Sequence, residues 1–142
     1  MTARSKARKR ALDILFESDV RGSDPVENLQ EWVRRSDPPV QDYAQQIVEG
    51  VAANREQIDG LITACLRDWS FERMPPVDRT ILRLSTYELV CRDDVPAAVV
   101  IDEAVELAKS LSTDDSPAFV NGVLAHVLEL KQADGSSAAP PR

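Results

Sequence analysis

Histidine occurs once in this 142-residue chain, cysteine twice and glycine five times. Each shortage excludes a chemistry. One histidine, His126, and two cysteines, Cys65 and Cys91, 26 residues apart, cannot assemble a tetrahedral zinc site. A hydrolytic triad needs a base beside its nucleophile. His126 sits between Val123 and Val127 in a helical pattern and reads as a packed or surface helical residue. No glycine-rich phosphate loop and no Gly-x-Ser-x-Gly elbow occurs. The paired acids Asp93-Asp94 and Asp114-Asp115 each precede a helix start, where carboxylates stabilise the dipole. The sequence therefore offers no catalytic residue, no metal site and no cofactor site, and the protein is expected to act by binding.

Long apolar runs are also missing. None approaches the roughly 20 residues that a membrane-spanning helix needs, and Asp13 interrupts ALDILF, so there is no signal-peptide core. Residues 1–12 have the basic, acid-free composition of a transit peptide, but their apolar pattern continues unbroken into the body. Two unpaired cysteines read as reduced core thiols of a cytoplasmic protein.

Acid is absent from residues 1–12, which hold Arg4, Lys6, Arg8, Lys9 and Arg10, five of the 17 basic residues. The other 130 residues carry 12 bases and 24 acids, a net charge of −12. A basic arm on an acidic body can hold a polyanion at one end and a basic protein elsewhere. Read as an arm, residues 1–10 are expected to be removable with little effect on helix content or stability.

Strand alternation is nearly absent and helical spacing is everywhere. The first segment, about Ala3 to Val20, has Ala7, Ala11, Ile14 and Leu15 inward and ends at Arg21-Gly22. Asp24-Pro25-Val26-Glu27 is a helix start with a capping acid, proline at the first position and Glu27 three after the cap. Val26, Leu29, Trp32 and Val33 form its buried face, and Asp37-Pro38-Pro39 stops it. Val40, Tyr43, Ala44, Ile47, Val48 and Val51 carry the next stripe. Asn54 with Gln57 either caps a new helix or lies within a continuing one. Ile58, Leu61, Ile62, Cys65, Leu66 and Trp69 follow. After Pro75-Pro76, a helix from Val77 to about Arg92 turns Val77, Ile81, Leu84 and Cys91 inward. Asp94-Val95-Pro96 opens another, with Ile101, Ala104, Val105, Ala108 and Leu111. The last begins at Pro117 and shows Phe119, Val120, Val123, Leu124, Val127 and Leu128; Asn121-Gly122 is a turn signal that the longer periodicity overrides. The fold class is all-α, a compact single-domain bundle of about seven helices spanning 1–131. Residues 132–142 are expected to form a disordered tail.

The run DDVPAAVVIDEAVELAKSLSTDDSPAFVNGVL, Asp93 to Leu124, resembles the C-terminal signature of the NusB family of bacterial transcription antitermination factors. The matching pieces are Val95-Pro96, the block Asp102 to Lys109, and Asp115-Ser116 followed by Phe119 to Leu124. Asp78 to Leu89 is similar to the family's central helix, and Ala7-Arg8 through Phe16 to its arginine-rich start. The resemblance runs from about Arg4 to Leu128 and is thin over residues 22–40. It implies an all-helical bundle that binds the single-stranded boxA element of ribosomal RNA leaders. Binding is shared with NusE, a small-subunit ribosomal protein, and the complex acts on elongating RNA polymerase in antitermination.

Carried onto this sequence, the resemblance implies RNA contacts from Arg4, Lys6, Arg8, Lys9 and Arg10, from Arg83 on the central helix, and from Asp115 and Phe119. Ser5 departs from the family's usual arginine. NusE contacts fall on Phe16, Val20, Glu72 and Asp78. The alternative is the NusB-like RNA-binding module of ribosomal RNA methyltransferases. Those carry a catalytic domain after it, and the end of this sequence at residue 142 favours the stand-alone factor. A self-complementary apolar face would look like any wide stripe, so a homodimer stays open at this point.

Overall fold

Thr2 opens the first helix, its hydroxyl accepting the Ser5 backbone N–H at 3.0 Å. The computed structural model describes residues 2–67 and 70–138. Helix α1, Ala3–Arg21, ends at Gly22, whose φ of 69° lets its N–H turn back to the carbonyls of Ser18 and Asp19. A side chain there would be strained. Helix α2, Pro25–Arg35, starts as its sequence dictates: the Asp24 carboxylate accepts the Glu27 N–H at 3.0 Å. Helices α3, Asp42–Ala53, and α4, Arg55–Ala64, are separated at Asn54. Asn54 does not cap α4; its side chain donates backward to the Gly50 carbonyl at 2.8 Å and closes α3. A single 3-10 turn, Phe71–Arg73, precedes α5, Pro76–Cys91. Helices α6, Ala97–Leu111, and α7, Ser116–Ala138, follow. No strand occurs among the described residues.

Helix α5 is the axis of the bundle. Every residue from Thr80 to Leu89 is buried, because α1, α3, α4, α6 and α7 all pack against it. A one-sided stripe therefore understates how much of this helix is buried. Here the signal is hidden further by Arg83 and Glu88, which are buried only because each has a partner of opposite charge. Burial of side chains such as Ile81, Leu82 and Leu124 contributes about 1.5–3 kcal/mol each. Close approach of α3 depends on Gly50, where a Cβ would stand 2.1 Å from Cε1 of Tyr87.

Some inward assignments shift. Cys65 is buried but Cys91 is exposed, so only one thiol belongs to the core. Leu111 is exposed at the end of α6, and Val77, Ile101 and Val105 are half-buried. Helix α7 passes through Asn121-Gly122 without a break and continues beyond Gln132 to Ala138. Neither Gln132 nor Ala133 breaks a helix; Pro140 is the first residue after them that must. Residues 139–142, and Trp69, lie outside the described residues.

Helices α1 and α5 are antiparallel. Arg8 meets Glu88 near one end, and Asp19 meets Arg79 near the other. At that second end Asp19 accepts Arg79 at 2.7 Å and Arg83 at 3.2 Å, while Arg83 also holds Asp59 at 2.9 Å. Burial raises the Asp19 pKa, but the Arg79 hydrogen bond and both charges outweigh it and hold the carboxyl below its ordinary value. A depressed folded pKa adds stability above the unfolded value, about 3.9, and loses it as pH falls through the folded value. Asp19→Asn is therefore expected to lower stability at pH 7 by roughly 2 kcal/mol. It should also flatten the decline below pH 4. Urea titrations at pH 7 and pH 3 check this, and an unaltered pH dependence would exclude Asp19 as a source of acid sensitivity.

Candidate nucleic-acid interface

The basic segment is not a loose arm. It forms the first turns of α1, and the helix divides its cations by face. Arg4 and Lys6 are exposed, and Lys9 and Arg10 are half-buried. The Lys6 ammonium has no ion-pair or hydrogen-bond partner among the described residues; only its backbone N–H is bonded, to the Thr2 carbonyl at 3.1 Å. Lys9 pairs with Asp13 at 2.8 Å. Arg10 donates to the Pro38 carbonyl at 3.3 Å and lies over the Trp32 ring.

Arg8 turns inward and is corrected from the contact set. Its Nε bonds both Glu88 carboxylate oxygens at 2.9 and 3.1 Å, and Nη1 reaches Glu103 at 2.9 Å. The Tyr43 hydroxyl also donates to Glu88. Burial works to lower the Arg8 pKa, but the hydrogen bond and charge of Glu88 prevail and raise it. The Tyr43 hydroxyl is pushed up to about 12, first by burial and then by Glu88. At 3% exposure, with its charge met by Glu88 and Glu103, Arg8 is out of reach of a phosphate.

Arg83 is corrected on the same ground. Its guanidinium is spent on Asp59 and Asp19 and lies 4.7 Å from the Phe71 ring centroid. Asp78 is also buried, at 4% exposure. It accepts Ser112 Oγ at 2.6 Å and Ser116 Oγ at 2.9 Å, which pins the α6–α7 loop to the start of α5. A carboxylate held this way shapes the loop and is not free to meet a partner.

Asp115 is exposed and Phe119 half-buried. With Met74, Pro75, Asp78, Thr113 and Ser116 they line an open hollow of about 390 Å³. It lies at the N-terminal end of α5, whereas the α1 cations lie at its C-terminal end. From Asp78 to Arg92 is about 20 Å at 1.5 Å per residue. The structure thus places Asp115 and Phe119 at the same end as Val20 and Glu72, not beside the cations. Val20 is 59% exposed. Arg79 ties that end together, donating to Asp19 and to the carbonyls of Phe71, Glu72 and Met74. Phe16 is half-buried one turn before Val20.

At the cationic end the structure adds residues that sequence reasoning missed. The Tyr43 ring has three guanidinium groups around it: Arg4 at 4.4 Å, Arg92 at 5.1 Å and Arg8 at 5.7 Å from its centroid. Asp94 accepts from both Arg4 and Arg92. Tyr43 falls on a core stripe and Asp94 beside a helix start, so neither carries a binding signal in the sequence.

The chain matches the NusB family over residues 5–129. It belongs to the NusB family. The transcription antitermination protein NusB of Streptomyces avermitilis is 55% identical over 136 residues, covering 92% of this chain and 94% of that protein. The protein of the same description from Saccharopolyspora erythraea is 58% identical over 129 residues, covering 89% and 87%. Among solved structures, T. maritima NusB superposes with a TM-score of 0.81 at 36% identity, over 90% of this chain and 92% of that one. The crystal structure of antitermination factors NusB and NusE in complex with dsRNA gives 0.78 at 30% identity, over 89% and 96%. No helix among the described residues of this family member is long and apolar enough to cross a membrane.

Proposed function

We propose that this chain is a transcription antitermination factor that binds boxA RNA of ribosomal RNA leaders together with NusE and acts on elongating RNA polymerase. The observation that carries the RNA half is the set Arg4, Lys6, Lys9 and Arg10 on the first turns of α1, at the surface of an otherwise acidic chain that belongs to the NusB family. Cations along one rigid element follow a phosphate backbone, and arginine planes accept splayed bases. Arg8 and Arg83 keep the interface in shape from beneath. The protein half rests on Phe16, Val20 and Glu72, on the loops that Asp78 and Arg79 brace. An apolar ridge with an acid beside it suits a basic ribosomal protein. Asp115 and Phe119 serve a strand that runs the length of α5 toward that partner. A relative is solved with NusE and double-stranded RNA together, which supports a protein ligand and an RNA ligand for this chain.

The two ligands are expected to bind cooperatively. Coupling free energy is reciprocal, so each should raise the affinity of the other by the same factor, about 5- to 150-fold for a coupling of about 1–3 kcal/mol. Glu72→Lys should weaken NusE binding and reduce the enhancement while leaving the affinity of the isolated protein for RNA unchanged. Calorimetric titrations in both orders of addition decide it. Equal RNA affinity with and without saturating NusE would make the two sites independent and overturn the joint surface.

A further inference from the structure

Two arginines at the cationic end hold a single carboxylate between them. Arg92 grips Asp94 with its fork, Nε to Oδ1 and Nη2 to Oδ2, each at 3.1 Å. Arg4 Nη2 reaches the same Oδ2 at 3.0 Å. The third arm of Arg92, Nη1, donates to Gln46 at 2.6 Å, and both guanidinium groups rest against Tyr43. A bidentate fork on a carboxylate is also the geometry in which arginine takes a phosphate.

The site is open to water. Asp94 is 50% and Arg4 44% exposed. Exposed pairs of this kind contribute little to stability and exchange readily. Two guanidinium charges share one carboxylate in this triad, and Asp93 beside it balances the other. The other charged groups facing it are Asp93, exposed beside Asp94, and Arg8, already engaged by Glu88 and Glu103. Asp94 is held well below the usual carboxylate range, chiefly by hydrogen bonds from Arg92 and Arg4. It is therefore fully charged at neutral pH and competes with any other anion for the fork.

We propose that Arg92 is a phosphate ligand of the RNA site, and that Asp94 occupies the place of that phosphate until RNA displaces it. The inference rests on the RNA-binding reading and deepens it. Because Arg4 shares Asp94 with Arg92, the cation row of α1 continues across Tyr43 onto the α5–α6 loop. Asp94 then acts as a selective brake. It keeps the fork preformed, and it sets a threshold that a lone anion meets poorly and a polyanion held by neighbouring cations meets well.

The test is RNA affinity of wild type, Asp94→Asn, Arg92→Gln and the double variant, measured at 50 and 200 mM salt. Asp94→Asn should bind a single-stranded boxA oligonucleotide about fivefold more tightly. That factor matches about 1 kcal/mol, the repulsion of two unit charges 4 Å apart in water. Arg92→Gln should bind more weakly and flatten the log–log salt slope by about 0.7. In the double variant the gain from Asp94→Asn should vanish. Equal or weaker binding by Asp94→Asn overturns the proposal while leaving the RNA reading intact. A second readout needs no RNA: the Arg92 Nε–Hε resonance, titrated with inorganic phosphate. It should move at a several-fold lower concentration in Asp94→Asn than in wild type, and no movement in either protein overturns the proposal. A phosphate response in a protein that binds no RNA would support the exchange site and remove the RNA reading alone.

Discussion

Arg8→Ala is expected to lower the free energy of unfolding by about 3–5 kcal/mol, the usual cost of removing one partner from a buried ion pair. The side chains of Arg8 and Glu88 are 3% and 1% exposed. In the variant the Glu88 carboxylate would stay in the core with only the Tyr43 hydroxyl to bond it. Urea denaturation measures the loss, read as a lower midpoint at unchanged m. The double variant Arg8→Met with Glu88→Leu should recover much of it, because apolar groups of similar volume often replace a buried pair without penalty. A loss below about 1 kcal/mol in the single variant would mean that water reaches the clasp. The same argument reverses the expectation that residues 1–10 can be removed freely. Their deletion takes away Arg8 and the buried Ala7 together, so the truncated chain should be strongly destabilised before its RNA binding can be read.

Neutralising Arg4, Lys6, Lys9 and Arg10 together to glutamine is the cleaner way to remove the cationic face. In wild type the four α1 cations should account for a log–log salt slope near −3 on unpaired RNA, from four phosphates at roughly −0.7 each. That slope alone means roughly 50-fold weaker binding at 200 mM than at 50 mM salt. The fourfold variant should lose most of the slope and on the order of 100-fold in affinity at low salt. Its stability should stay within about 1 kcal/mol of wild type, because the ion pairs it removes are exposed. Filter binding against an unpaired leader strand and a hairpin stem supplies both comparisons. An unchanged slope would place the RNA elsewhere on the molecule, and equal affinity for the stem would end the single-strand reading.

How much of this was legible in the sequence depended on the physical range of each signal. Caps and breakers act over four residues, so Asp24-Pro25, Gly22 and Pro75-Pro76 mark real helix ends. Periodicity is also local, and it recovered the helices while leaving the α3–α4 break at Asn54 open. Burial of charge is different, because it depends on what lies across the bundle. Helical phase sets Arg8 nearer the Ala11–Leu15 stripe than Lys9, but Glu88, 80 residues away, is what lets its charge be buried. The burial of Asp78 and Arg83 was hidden for the same reason, their partners being Ser112, Ser116, Asp19 and Asp59. The Tyr43 cluster was illegible because Arg4, Tyr43 and Arg92 come from three segments that only the fold brings together. The family resemblance named candidates for the interface, but it could not say which side chains were free.

The Arg8–Glu88 clasp also bears on how fast and how tightly RNA is captured. A disordered basic tail would lose its conformational entropy on meeting RNA, which weakens affinity for a given contact area. In this chain that entropy is lost at folding, when Arg8 locks the first turns of α1 to the central helix. RNA then meets a rigid comb of cations. Association should be limited by diffusion and electrostatic steering, not by coupled folding, with an on-rate that falls steeply as salt rises.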